Sequence, residues 1–381
     1  MLGVLSRGIL RLPCLAELLD DQIVKVGSDF FHKNPSAIAG WGRRPTSKAA
    51  RSLANRKNVE FIALEDGFLR SFGTGQHFPP LSLIMDKLGI YYDSTCPSAL
   101  EYLLDSATDL LTDIAVEVSQ AKSLILEHRL SKYNHAPLLD VEILRPDDIQ
   151  RVLVIDQTAG DMSVSLGSSD ADTFTAMLQA ARIENPQSTI YVKTHPEVTS
   201  GRKRGYLTHV QNDAQTVVLR QAINPLSLIE KMDRVYVVTS TMGFEAVLAG
   251  KPVSVFGLPW YAGWGVTDDR QSCSRRTRKR SVDELFAAAY FHYARYLDPE
   301  THQRGTIFDV IDWLVRQKQV AKRCHGRKIA VGYSAVRRWV QAPILGPDPS
   351  RVAFAANAKQ LFGLQPGRDD CLGDRGHPAP E

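Results

Sequence analysis

Long apolar runs are missing from this 381-residue chain, and none approaches the ~20 consecutive apolar residues that a membrane-spanning helix needs. Cysteine is scarce. Cys14, Cys96, Cys273, Cys324 and Cys371 stand far apart, without C-x-x-C spacing. Five dispersed thiols argue against both a disulfide framework and a zinc site, and fit a reducing cytoplasm. An excess of one charge is missing too: 46 basic residues face 42 acidic ones, a formal +4. That balance suits anionic substrates or a membrane surface, and gives no reason to expect nucleic acid. The opening MLGVLSRGILRLP lacks a basic segment, an apolar core and a small-residue cleavage site in series. It reads as a first strand, Leu2–Leu5, rather than a signal peptide.

What remains is a globular composition, 44% hydrophobic and 23% charged, at a length that suits two domains. Short apolar segments alternate with helical ones, which predicts an α/β fold. The expected strands are Leu2–Leu5, Glu60–Leu64, Val152–Asp156, Thr189–Lys193, Arg234–Val238 and Pro252–Phe256. From Ser98 to about Leu130 leucines recur at threes and fours, which predicts a helix. A second helix is expected over Asp283–Leu297, opened by a capping box from Ser281 to Glu284. The polar, proline-punctuated Tyr133–Asp148 marks a boundary. The expected units are a Rossmann-like domain over 1–140 and a nucleotide-sugar domain over 145–315. Two Rossmann-type domains facing a cleft make a GT-B-like architecture, with ligands beyond the carboxyl ends of the strands.

Five motifs fall at such ends. Glu65-Asp66-Gly67, with Arg70 beyond it, places two carboxylates beside an anion-binding group. In a continuing strand the two acids point to opposite faces. Asp156-Gln157-Thr158-Ala159-Gly160-Asp161 puts two acids around a glycine that can present Asp161 at the cleft, where a covalent glycosyl transfer needs a nucleophile. Lys193 and His195 share one face of an extended segment, and both suit a phosphodiester. Ser240, Thr241 and Gly243 open a helix whose N-terminus can receive phosphate, with Glu245 one turn in, within reach of a ribose hydroxyl. The loop 257–270, with Trp260, Tyr261, Trp264 and three glycines, has the make-up of a sugar-facing wall or an inter-domain plug.

Other features carry less. Asp170-Ala171-Asp172 spells a metal-binding D-x-D but precedes a helical run, and reads as a cap. Arg275–Arg280 is a solvated basic loop or a contact for anionic headgroups. Trp41, within GWGRRP at 40–45, is a candidate donor or acceptor contact, or a turn packed by one tryptophan. Residues 328–339, KIAVGYSAVRRW, loosely echo the start of the chain, and the last residues are polar and rich in Gly and Pro. The expectation for 326–381 is the start of a second module, or a disordered tail.

Taken in order, GWGRRPT at 40–46, LEDGFLRS at 64–71, PPLSLIMDKLGIYYD at 79–93, VIDQTAGDMS at 154–163, YVKTHPEV at 191–198, VYVVTSTMGFEAVLAGKPV at 235–253 and GLPWYAGWGVTDDR at 257–270 resemble the capsular polysaccharide Kdo transferases, the KpsC family. The resemblance implies a retaining β-Kdo transferase that uses CMP-β-Kdo (Kdo being 3-deoxy-manno-octulosonic acid). The acceptor it implies is an anionic glycolipid, the phosphatidylglycerol-linked poly-Kdo linker of capsule chains. Carried over, Asp161 is the nucleophile and Glu65 or Asp66 the acid/base. Arg70, Lys193, His195, Ser240, Thr241, Gly243 and Glu245 hold the donor, and Trp41, Gln157, Tyr261 and Trp264 are candidate sugar or acceptor contacts. It also implies capsule assembly machinery as partner and a peripheral position on the cytoplasmic face of the inner membrane. No metal is expected, since CMP leaves as a phosphate monoester rather than a diphosphate. The rivals are another GT-B-type nucleotide-sugar enzyme and a non-catalytic export or assembly component.

Overall fold

The computed structural model describes residues 1–27, 35–75, 78–146, 150–195, 198, 201, 203–323, 328–331 and 352–355. All six expected strands form, because each is an apolar run buried on both faces, as covered parallel strands are. Among the described residues they belong to two large sheets.

The first sheet contains β1 (Leu2–Val4), β2 (Ile23–Lys25), β3 (Ala37–Trp41), β4 (Glu60–Asp66) and β5 (Ser82–Asp86). The second contains β6 (Arg151–Ile155), β7 (Thr189–Lys193), β8 (Thr216–Leu219), β9 (Arg234–Val237), β10 (Val253–Val255) and β11 (Asp268–Asp269). Every pairing in the second sheet is parallel, and its order is β11-β10-β9-β6-β7-β8. That is the doubly wound order of dinucleotide-binding sheets, which reverses between β6 and β9. The crevice above those two strand ends is where such sheets take ligands.

Two expected helices differ. The run 98–130 is broken at 106–114 into Ala99–Asp105 and Ala115–Glu127. The expected helix 283–297 is a helix over Val282–Phe286, a π-helical segment Ala287–Tyr293, and then a strand, β12 (Ala294–Leu297). β12 pairs antiparallel with β5, and β13 (Arg304–Gly305) pairs with β12. Residues 294–305, read from sequence as part of the second unit, therefore complete the first sheet, in the order β13-β12-β5-β4-β3-β1-β2. The small side chains of Ala287, Ala288 and Ala289 let the start of the crossing segment pack fully buried.

One apolar cluster spans both units. Phe68 of the first touches Trp260 of the second at 5.3 Å and Tyr290 of the crossing segment at 5.1 Å, while Phe244 meets Trp260 at 4.4 Å. Such aromatic contacts hold the units together through burial and ring packing. In the tail, β14 (Lys328–Val331) pairs parallel with β15 (Val352–Ala355). The rest of the expected second module or disordered tail lies outside the described residues.

Candidate active site

β4 runs through Asp66, so Glu65 and Asp66 alternate across the strand, and each meets a different partner. The Trp41 indole donates to Glu65 Oε1 at 3.1 Å, and Arg44 lies 3.8 Å from the same oxygen. Glu65 is 5% exposed. Burial lifts its carboxyl above the ordinary range, against the opposing pull of Lys132 and Arg44. Asp66 instead forms an ion pair with Arg70 Nε at 2.8 Å. Arg70 also donates to Ser71 Oγ and to Phe78 O, both at 2.8 Å, so the expected anion clamp is engaged within the first unit.

At the other sheet, Asp156 and Asp161 divide in the same way. Asp156 is 2% exposed, and its Oδ1 accepts from the amides of Gln157, Tyr206 and Leu207. Burial pushes its carboxyl up to about 6, against those three hydrogen bonds. A Cβ at Gly205 would fall 2.1 Å from Asp156 Oδ2, and that oxygen is buried without a hydrogen-bond partner. Asp161 follows Gly160, whose φ of +83° is the left-handed conformation that favours glycine. Half-buried, it caps the helix Met162–Leu166 and accepts from Ser163 N and Ser163 Oγ, both at 2.9 Å. Ser163 Oγ lies 3.2 Å from Thr239 Oγ1. Gln157 closes the network: its Oε1 accepts from Thr239 N and its Nε2 donates to Thr239 Oγ1, both at 3.0 Å. Gln157 is thus a buried strap between the ends of β6 and β9.

The helix Met242–Leu248 opens beside this network. Ser240 Oγ accepts from Met242 N at 3.3 Å, while Thr241 makes no capping bond with its side chain. Gly243 is required by close approach, because a Cβ there would lie 2.1 Å from the Tyr261 hydroxyl. That hydroxyl donates to Ser240 O. Lys193, 5% exposed at the end of β7, donates to Thr194 O at 2.6 Å, and burial lowers its ammonium to about 8. His195 is exposed at the same strand end. Pro196 and Glu197 of that motif lie outside the described residues.

A residue with no motif around it joins the two halves. Lys132 follows the first unit's last helix and lines a cavity of about 10 Å³ with Phe68, Thr241 and Glu245. That is room for a single water. Burial works against its charge, yet Tyr91, Asp66, Tyr133 and Glu65 outweigh this and hold the ammonium above the ordinary lysine range. Glu245, expected at a ribose, instead accepts from Ser131 Oγ across the unit boundary. Burial pushes its carboxyl up to about 7. Nothing in the local sequence LSKYN flagged Lys132, because its role depends on where two sheets meet.

Other expectations are corrected by burial and pairing. Tyr261 and Trp264 have no exposed surface, so the 257–270 loop is a plug behind the helix and not a sugar-facing wall. Trp264 donates to Trp260 O and carries the Arg276 guanidinium over its ring. Within the basic run 275–280, Arg275, Arg276 and Arg280 are engaged by the chain itself, while Arg278 and Lys279 are exposed. Arg275 and Arg276 both pair with Glu101, Arg276 also donates to Pro259 O and Ala262 O, and Arg280 pairs with Glu284. These bonds fasten the second unit onto the helix Ala99–Asp105. Asp170 does cap a helix, accepting from Thr173 N at 3.0 Å. No helix among the described residues is long and apolar enough to cross a membrane.

A family model described as capsule polysaccharide biosynthesis protein matches residues 36–296. The chain is 46% identical over 366 residues to the capsule polysaccharide modification protein LipA of Neisseria meningitidis, covering 93% of this chain and 51% of LipA. It thus spans about half the length of that relative. It is 39% identical over 276 residues to the lipopolysaccharide-processing protein LpsZ of Rhizobium meliloti, covering 71% of this chain and 62% of LpsZ. The solved β-Kdo 2,4 transferase of Thermosulfurimonas dismutans KpsC superposes with a TM-score of 0.78 at 47% identity, covering 82% of this chain and 97% of that one. The β-Kdo 2,7 transferase of the same KpsC superposes with a TM-score of 0.61 at 27% identity, covering 84% of this chain and 99% of that one. Since the family model spans more than half of the 381 residues, the chain belongs to the capsule polysaccharide biosynthesis protein family.

Proposed function

We propose that this chain is a retaining β-Kdo transferase of capsule synthesis, taking Kdo from CMP-β-Kdo to an anionic Kdo-bearing glycolipid through an Asp161 adduct. The observation that carries the reading is the position of Asp161 above the β6–β9 switch point. It is half-buried there, with Ser163, Gln157 and Thr239 fixing it from behind. The likeness to a β-Kdo 2,4 transferase over 97% of that chain supplies the sugar.

In the first step the Asp161 carboxylate attacks the anomeric carbon. The bond to the phosphate oxygen breaks, and CMP leaves with the electron pair. In the second step an acceptor hydroxyl attacks the same carbon, and the bond to Asp161 breaks. The hydroxyl proton passes to a base. Two inversions retain the configuration. Glu65 suits the proton transfer better than Asp66, since its raised carboxyl can hold a proton while Asp66 is paired with Arg70. Trp41 positions Glu65. Lys193, His195, Ser240 and Thr241 receive the phosphate and the Kdo carboxylate. Lys132 compensates charge between the acid pair and Thr241.

CMP, as a monophosphate leaving group, needs no metal, so transfer should survive a chelator. The membrane-facing glycolipid places the protein peripherally on the inner membrane's cytoplasmic face, beside the capsule assembly machinery. The test is incubation with freshly generated CMP-Kdo and a synthetic Kdo acceptor, with the product linkage then determined. Transfer of Kdo with retained configuration supports the reading. Thermal stabilisation by UDP in preference to CMP, with no transfer, contradicts it.

A further inference from the structure

The first sheet carries a second concavity that the reaction above does not use. It is a groove of about 580 Å³ along the outer side of the helix Lys48–Lys57, lined by Arg43, Lys48, Arg51 and Lys87 over Phe61 and Leu88. Its volume lies within the range of ligand sites. Four cations scattered over 45 residues of sequence meet there, which no charge run in the sequence announces.

The cations are not equally engaged. Arg43 is held by Asp93 at 2.9 Å and by Cys96. Lys87 faces Glu60 at 3.9 Å, with both side chains more than half exposed, a pairing worth little. Lys48 is exposed and, among the described residues, neither Lys48 nor Arg51 makes an ion pair. Arg51 Nε is buried without a hydrogen-bond partner. A guanidinium nitrogen withdrawn from water and left unsatisfied is costly unless something binds there. The contrast with the run Arg275–Arg280 is direct, since those guanidinium groups meet carboxylates and carbonyls of their own chain.

One end of the groove lies near the proposed chemistry. Its Arg43 end donates a backbone N–H to the Tyr92 hydroxyl at 2.9 Å. The neighbouring Gly42 packs so closely that a Cβ there would lie 2.1 Å from that hydroxyl and 3.2 Å from Glu65 Oε2. The Arg43 end of the groove thus lies one residue from Gly42, which packs between it and Glu65.

We propose that this groove holds the already-built anionic portion of the acceptor, an oligosaccharide bearing carboxylates or phosphates, with its reactive end on the side towards Glu65. The inference rests on the function proposed above for Glu65. Guanidinium and ammonium groups answer regularly spaced anions, and the Phe61 ring with Leu88 offers an apolar floor for sugar C–H faces. The concave shape favours a chain over a bilayer, since a flat membrane surface meets a groove only at its rims.

Binding can be read without catalysis. The intact protein and the triple variant K48Q/R51Q/K87Q are titrated calorimetrically with a short synthetic Kdo oligosaccharide and with a neutral oligosaccharide of equal length. Both proteins are also sedimented with phosphatidylglycerol vesicles. The expected result is tighter binding of the Kdo oligosaccharide by the parent, weakened at least about tenfold in the triple variant and by added salt. The double variant K48Q/K87Q, altered only at exposed positions, should weaken binding in the same direction and guards against a folding defect. Unchanged oligosaccharide affinity in both variants overturns the inference, and vesicle binding lost while oligosaccharide binding persists overturns it in favour of a membrane contact. If charge-dependent binding holds but the parent transfers no Kdo, the groove stands and the transferase reading falls.

Discussion

Each sheet presents a pair of acids at a strand end, and in each pair the two carboxylates have opposite fates. Asp156 and Asp66 are absorbed by the scaffold, the first by three backbone amides and the second by Arg70. Asp161 is held by Ser163, and Glu65 Oε1 by Trp41, the Asp66 amide and, at 3.8 Å, Arg44. Neighbouring acids of similar sequence context thus differ in which groups hold them. Burial alone does not separate them, since Glu65 is nearly as buried as Asp156. The partner does.

The largest expected effect breaks the comparison within the β6 pair. Asp161→Ala should lower transfer at least about a thousandfold and cost stability only at the scale of a lost helix cap, about 1 kcal/mol. Asp156→Ala should do the reverse, costing about 1–3 kcal/mol by stranding three amides while the folded fraction still forms adduct. Intact-mass and melting measurements on both variants decide. Loss of adduct in Asp156→Ala without loss of stability would exchange their roles.

Next comes the β4 pair. Glu65→Gln should lower turnover by about 10²–10⁴. Asp66→Asn should act mainly through loosening Arg70, with a smaller kinetic effect, measured as kcat on the Kdo acceptor.

Smaller effects come from the buried groups around these acids. Lys193 titrates near 8 because burial opposes its charge. An anionic donor favours the ammonium, so CMP affinity should fall as pH rises through about 8. Lys193→Met should bind CMP weakly at every pH, and calorimetry across that window checks it. Glu245 has a folded pKa of about 7, above the ordinary 4.5, so the folded state holds its proton more tightly than the unfolded state. Its contribution to stability is therefore full below the ordinary value and is lost as pH rises towards 7. Glu245→Gln should melt higher than the parent at about pH 8 and lose that advantage at about pH 5.

Local patterns in the sequence carried the strands, the helix cap at Asp170, the capping box at Ser281, and the placement of motifs at strand ends. These depend on residues within a few positions of one another. The misreadings all involve distant partners. Residues 294–297 have helical spacing with the segment before them, yet β5, more than 200 residues earlier, claims them as a strand. Tyr261 and Trp264 look like a sugar wall until the helix Met242–Leu248 and Arg276 cover them. Arg275 and Arg276 look solvated until Glu101 is folded against them. Lys132 was invisible for the same reason, since its four charge partners come from three separate segments.

The most direct test of the central claim is to supply CMP-Kdo without acceptor and map the covalent sugar by peptide mass spectrometry. The account predicts one Kdo on the peptide containing Asp161, absent in Asp161→Ala. Kdo attached to a different residue, or CMP released on transfer to acceptor with no adduct trapped at any time, would contradict it.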